Sequence, residues 1–253
     1  RKACVPLGEY LAESEQVAER ESRTFFQELP GIFKYPFGKG GVLLLTFGTI
    51  VFSVVDALAQ LRTFHTLFLS LAASGYFLAY MQSIIMSSAK GEDDLPEWPE
   101  FGDWWSDIIR PFFMVVFTAG ICFAPAIGYM IMTAAAEDAE MNTLVLFPLI
   151  GLGFLYFPMA LLVVAMADSF FGVNPLIVIP AIIKVPLEYL VACVAFFVIL
   201  GARMLLIGLL KEVIPIPYLY LIPGSFVALY LLTVEMRLLG LLYYTNRDRF
   251  GWT

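Results

Sequence analysis

Six ionisable side chains lie where this chain can least accommodate them. Asp56, Asp168, Glu188, Arg203, Glu235 and Arg237 fall within or at the edges of long apolar runs. A charge at the centre of a bilayer costs ~2.5–3.5 kcal/mol or more, so such groups pair, reach the headgroups or serve a function. One reading is an ion or small-solute path lined by Asp168, Glu188 and Glu235 and opened by proline breaks, the device of secondary transporters. The other is structural. Each residue lies within about two turns of a predicted helix end, where a long side chain can snorkel to the headgroups. No internal repeat supports a transporter, and the sequence favours the structural reading. Asp56, near the outer end of the first run, could pair with Arg203 in the outer half of the fifth. Asp168, Glu188, Glu235 and Arg237 lie toward the opposite side and could cluster beneath a break at 169–185.

Other chemistry is missing from the pattern. The chain has no G-x-S-x-G, no H-E-x-x-H and no P-loop. Its single histidine, His65, has no partner in sequence that would position it for catalysis. Cys122 and Cys193 sit inside apolar runs, Cys4 stands alone, and no C-x-x-C spacing marks a metal site. We expect no enzymatic activity, no cofactor and no catalytic or metal-binding residue.

A second group of residues suits contact rather than catalysis. Residues 91–107 hold seven of the 22 acidic residues and three of the four tryptophans. Hard cations take carboxylate oxygens, but the spacing matches no calcium loop. Two readings stay open: a docking surface anchored by Leu95, Trp98, Phe101 and Trp104, or an interfacial helix capped by Asp103 and anchored by Trp98, Trp104 and Trp105. Tryptophan suits both roles. Near the start, Phe25, Phe26, Leu29, Ile32 and Phe33 recur every three or four residues, the mark of one helical face. They predict an interfacial helix, which Pro30 bends or ends. Residues 8–21 are polar and acidic, a solvated arm.

The elements that must position these groups are membrane spans. Apolar residues make up 60% of the chain and charged residues 15%, against roughly 25% charged in a soluble domain. Runs at about 41–59, 64–88, 108–134, 144–166, 186–210 and 218–241 approach or exceed the ~20 residues that cross a bilayer as a helix. Pro125 with Gly120 and Gly128 predicts a kink in the third, and Pro223-Gly224 an interruption in the sixth. Small residues (Ala72, Ala73, Ser74 and Gly75 in the second span, Gly151 and Gly153 in the fourth) allow close helix approach. Asn174 and Pro175 start a short helix over 174–184, too short to span. The fold class is therefore all-α: a polytopic bundle of about six spans plus interfacial helices. Its parts are a cytoplasmic arm and interfacial helix over 1–40, a membrane domain over 41–243 and a tail over 244–253.

Lysine and arginine set the orientation. Arg1, Lys2, Arg20, Arg23, Lys34, Lys39, Lys90, Arg110, Lys184, Arg247 and Arg249 fall on the side of the termini, and only Arg62 and Lys211 on the other. Both termini and the acidic block are expected in the cytoplasm. The acid is concentrated in the arm and the block, which argues against nucleic acid as a partner. The chain opens on Arg1, so further sequence before it is expected, and nothing in 1–40 has the apolar core of a signal peptide.

The stretch 75–103, GYFLAYMQSIIMSSAKGEDDLPEWPEFGD, resembles the DUF4013 group of polytopic bacterial membrane proteins. The shared signature is a Gly-Tyr helix, a glycine before an acidic Leu-Pro segment, and an aspartate-rich entry to the next span. Trp104-Trp105 and the Ile-Ile-Arg-Pro entry depart from it. The resemblance implies a bacterial inner-membrane bundle and carries no activity or site residue with it. The expected role is a non-enzymatic integral subunit or scaffold of a larger membrane assembly. It would dock through Leu95, Trp98, Phe101, Trp104, Trp105, Phe25, Phe26 and Phe33, with lipids and other membrane subunits as partners. The alternative is the small-solute or ion transporter.

Overall fold

Sustained hydropathy makes the spans. A computed structural model describes residues 24–61, 63–97, 102–103, 105–136, 141–214, 216 and 218–252. The arm at 8–21, Cys4, Arg62, Trp98, Phe101 and Trp104 lie outside the described residues. Among the described residues 84% are helical and none forms a strand. Helices α1 (Gly41–Ala59), α2 (Phe64–Ala89), α3 (Arg110–Ala135), α4 (Thr143–Ala167), α6 (Pro186–Val213) and α7 (Leu221–Tyr244) are each long and apolar enough to cross a membrane. The short α5 (Pro175–Lys184) precedes α6. The protein is thus an all-α polytopic bundle. One end, the loop face, carries the N-terminal segment, the loop after α2, α5 and the C-terminal turn. The other, the turn face, carries the three short connections.

Helix ends follow local chemistry. The Thr63 and Thr66 side chains form a reciprocal capping box that opens α2. The Asn142 side chain accepts the Leu144 N–H at the start of α4, and Asn174 accepts that of Leu176 ahead of Pro175 at the start of α5. Asp168, in the left-handed region, stops α4. Gly91 ends α2 with φ +82, and the Tyr244 ring lies where a Cβ would stand. Helix α3 continues through Pro125. One expected irregularity differs. Pro223 does not interrupt the last span, because α7 starts at Leu221 and a proline in the first turn forfeits no helical hydrogen bond.

Helix α7 is the axis of the bundle. In its most apolar stretch 72% of residues are buried, against 22% for α3 and for α6. It packs against α1, α2, α4 and α6. Closeness to α2 depends on Gly240: a Cβ there would stand 2.3 Å from the Ser88 Cβ and 2.6 Å from the Ile85 carbonyl oxygen. Between α3 and α4, Gly153 faces the Phe123 ring, whereas Gly151 has open space.

Helix α4 contains Pro158, which has no N–H to donate to Phe154. One residue on, the Tyr189 hydroxyl of α6 enters the ladder. It donates to the Leu155 carbonyl at 2.6 Å and accepts the Met159 N–H at 3.3 Å. A side-chain hydroxyl thus joins the helix ladder next to the proline.

The N-terminal segment is not one amphipathic helix. A helical turn at Phe25–Glu28 passes into a 3-10 segment at Leu29–Phe33, with Pro30 at its start. Phe25 and Ile32 are buried against the bundle, while Phe26 and Phe33 face outward.

Three substitutions test this packing by thermal unfolding in detergent. Gly240→Ala is expected to cost about 1–3 kcal/mol through overpacking, while Gly151→Ala costs nothing. Tyr189→Phe is expected to cost about 1–3 kcal/mol, because it strips the Leu155 carbonyl and the buried Met159 N–H of their shared partner.

Candidate functional site

The deepest charges belong to two neighbouring helices. Arg203 sits about 15 Å from the turn-face end of α6, and Glu235 about 13 Å from the loop-face end of α7, at about 1.5 Å of rise per residue. Side chains in a helix lean toward its N-terminus. These two helices are antiparallel, so the side chains lean toward each other. Arg203 Nη1 and Glu235 Oε2 stand 3.5 Å apart, with the glutamate side chain 1% exposed and the arginine 20%. The contact is loose. No hydrogen bond accompanies it among the described residues, and Glu235 Oε1 has no hydrogen-bond partner among them.

Two cavities meet at this arginine. The larger, about 340 Å³, runs between α1, α2, α6 and α7 and is lined by Phe52, Asp56, Phe77, Ser225 and Arg203 among others. The smaller, about 180 Å³, is mostly apolar but holds Gln82, Arg203 and Glu235. The buried Oγ of Ser225 and Nε2 of Gln82 also have no hydrogen-bond partner among the described residues, as do the hydroxyls of Thr49 and Ser88 outside these cavities. Buried polar groups are ordinarily satisfied, so the three of Glu235, Gln82 and Ser225, set around the partly exposed Arg203 that lines both cavities, mark a polar site inside the apolar bundle. Asp56 and Arg203 share the larger cavity, yet they form no ion pair. Arg203 turns to Glu235, and Asp56 has no ionic partner among the described residues.

The other ionisable groups do not cluster. Asp168 bonds Arg110 at 2.7 Å, Glu188 bonds Arg249 at 2.7 Å, and Arg237 bonds Asp93 at 2.9 Å. The single polar cluster expected beneath the 169–185 break is therefore three separate pairs on the loop face, with Glu235 held elsewhere by Arg203. The expectation that all six groups lie close to a helix end also fails for Arg203 and Glu235. The helices run past the ends predicted from the sequence, to Val213 and Tyr244.

Arg237 ties the acidic loop to α7. Its guanidinium donates to the Glu92 carbonyl as well as to Asp93, and lies 4.5 Å from the centroid of the Tyr35 ring. Burial pushes the Tyr35 hydroxyl above its ordinary value. It stays protonated and donates to the Asp94 carbonyl at 3.4 Å. The Tyr80 hydroxyl donates to the Pro96 carbonyl at 3.1 Å. Leu95 is consequently buried, as is Phe25, so neither is available as a docking anchor in this fold. Phe26, Phe33 and Trp105 do face outward. The Asp103 side chain accepts the Trp105 N–H at 3.0 Å, at the entry to a wide helical turn, Trp105–Ile109, that leads into α3.

The roles of Gln82, Ser225 and Tyr35 were missed in the sequence. Gln82 carried a usable signal, an amide within an apolar run. Compared with known proteins, the chain matches no family model, no curated sequence and no solved structure.

The Arg203–Glu235 pair predicts a non-additive mutant cycle, read by thermal unfolding. Arg203→Gln leaves a buried carboxylate uncompensated and is expected to cost about 3–5 kcal/mol. Glu235→Gln costs less, because Arg203 is longer and partly exposed. The double substitution costs less than Arg203→Gln alone.

Proposed function

We propose that this protein is a non-enzymatic membrane protein that moves a small solute or ion, using the polar site around Arg203 and Glu235. The observation that carries this reading is the orphaned polar set inside the bundle. A bundle held together by packing alone gains nothing from a carboxylate oxygen, an amide and a hydroxyl left unpaired in an apolar interior. The acids involved are Glu235 and Asp56, and not Asp168 or Glu188, which are taken up by arginines of the loop face.

A second reading, an integral subunit or scaffold of a larger assembly, draws on a different observation. Helices α3 and α6 leave most of their apolar surface outside the chain's own core. Phe26, Phe33 and Trp105 add an exposed aromatic rim on the loop face. Lipid or neighbouring membrane subunits would cover these surfaces, and the two readings are compatible in one complex.

Membrane and orientation are part of the proposal. The excess of lysine and arginine on the loop face supports cytoplasmic termini. The resemblance of residues 75–103 to the DUF4013 group supports a bacterial inner membrane.

Proteoliposome flux tests the main reading. The intact chain is expected to move a member of a panel of monovalent ions, organic cations and amino acids. Glu235→Gln is expected to cut that flux at least about tenfold while remaining folded, and Glu188→Gln to leave it unchanged. A panel with no flux, together with a large complex of fixed stoichiometry on gentle extraction, would favour the scaffold. Topology is checked separately with single added cysteines. Leu61→Cys is expected to label from outside the cell, and Trp105→Cys only after permeabilisation.

A further inference from the structure

The larger cavity has a charge pattern that names its ligand class. Two charged groups line it, the Asp56 carboxylate and the Arg203 guanidinium, while Glu235 lines the adjoining smaller cavity. Arg203 and Glu235 face each other at 3.5 Å and offset one another. That leaves the Asp56 carboxylate as the one charge on the cavity wall without a counter-charge among the described residues. Asp56 lies about 5 Å from the turn-face end of α1, at about 1.5 Å of rise per residue. It stands at the watery end of the cavity, and Arg203 at the deep end. Next to Asp56, the rings of Phe52 and Phe77 meet edge to face with centroids 4.9 Å apart. Both line the same space. Asp56 is itself exposed, at the mouth of a half-open cleft. A carboxylate beside aromatic rings in such a cleft recognises an ammonium, by ion pairing and by the ring quadrupoles.

Size and polarity narrow the class. At about 340 Å³ the cavity far exceeds a bare metal ion, and sites for small molecules begin at about 300 Å³. Its wall offers donors seeking an oxygen at two levels. Ser225, about 6 Å from the turn-face end of α7 at about 1.5 Å of rise per residue and so level with Asp56, is 6% exposed and has an unpartnered hydroxyl. The deeper Arg203 guanidinium donates no hydrogen bond among the described residues. We propose that this cavity binds a small organic ammonium ion entering from the turn face, with Asp56 pairing the charged nitrogen, Phe52 and Phe77 holding the apolar body, Ser225 reaching a polar group near the nitrogen and Arg203 reaching any oxygen at the far end. A zwitterion fits less well. Its anionic group would compete with Glu235 for Arg203 and leave one negative charge unpaired. The proposal rests on the solute-site reading above and names its ligand, but it concerns binding and holds whether or not the solute is carried across.

The test is calorimetric titration of the full-length chain in a neutral maltoside detergent, with 2-phenylethylammonium as probe. Two comparison probes are 2-phenylethanol, which lacks the charge, and phenylalanine, which adds a carboxylate. Saturable one-to-one binding of the ammonium is expected, with the alcohol and the amino acid at least about tenfold weaker. Asp56→Asn is expected to weaken the ammonium at least about tenfold, and Phe52→Leu several-fold. Glu188→Gln changes nothing. Melting temperatures show which variants remain folded, and if Asp56→Asn does not fold, Phe52→Leu and the probe comparison decide. Equal binding of the alcohol, preference for phenylalanine, unchanged binding in folded variants or no binding to the intact chain would overturn the assignment. Flux of another solute that depends on Glu235, with no ammonium binding, removes this inference and leaves the transport reading standing. Ammonium binding without flux does the reverse.

Discussion

Burying α7 sets the terms for the rest of the fold. This helix is the centre of the bundle, yet it carries a glutamate and an arginine two residues apart. Neither can be left to lipid, so other elements come to them. Residues on different sides of the helix find different partners. Arg237 draws in the loop after α2 and the Tyr35 ring, which fixes the N-terminal segment and buries Leu95. Glu235 draws in Arg203 from α6. The short approach of α2 at Gly240 and the placement of α1 across Gly48 and Leu229 then close the core around it.

Against that requirement, the spans were the legible part of the sequence. Runs of about twenty apolar residues admit few alternatives in a bilayer, and five of the six predicted starts fall within two residues of the observed ones. The sixth moves three residues because Pro223 belongs to a first helical turn rather than to a break. Asn174-Pro175 was equally legible, because an asparagine cap and a proline at the first helical position act locally. The 25–33 segment was not. Its spacing fits an α-helical face, but Pro30 tightens the backbone to a 3-10 segment, and the buried pair becomes Phe25 and Ile32.

The site was legible by residue type and illegible by partner. All six nominated charges are engaged or lie in a cavity, but sequence depth paired them wrongly. Position along a helix locates the Cα. The functional end of an arginine or glutamate lies several ångströms away, toward the N-terminus of its own helix. Glu235, counted from its Cα, belongs with the loop face; its carboxylate belongs with Arg203. Asp56 and Arg203 were correctly placed on one side and share a cavity, but no sequence rule shows that Phe52 and Phe77 stand beside them or that Glu235 competes for the arginine.

The order in which the chain emerges gives the central helix a second meaning. Helix α7 follows the other five spans, so the ribosome delivers the axis of the bundle after its periphery. Until then α1, α2 and α6 enter the membrane without the surface they finally pack on, the acidic loop has no Arg237 to hold it, and Arg203 has no glutamate. Arrival of α7 is the event that gives these groups their partners.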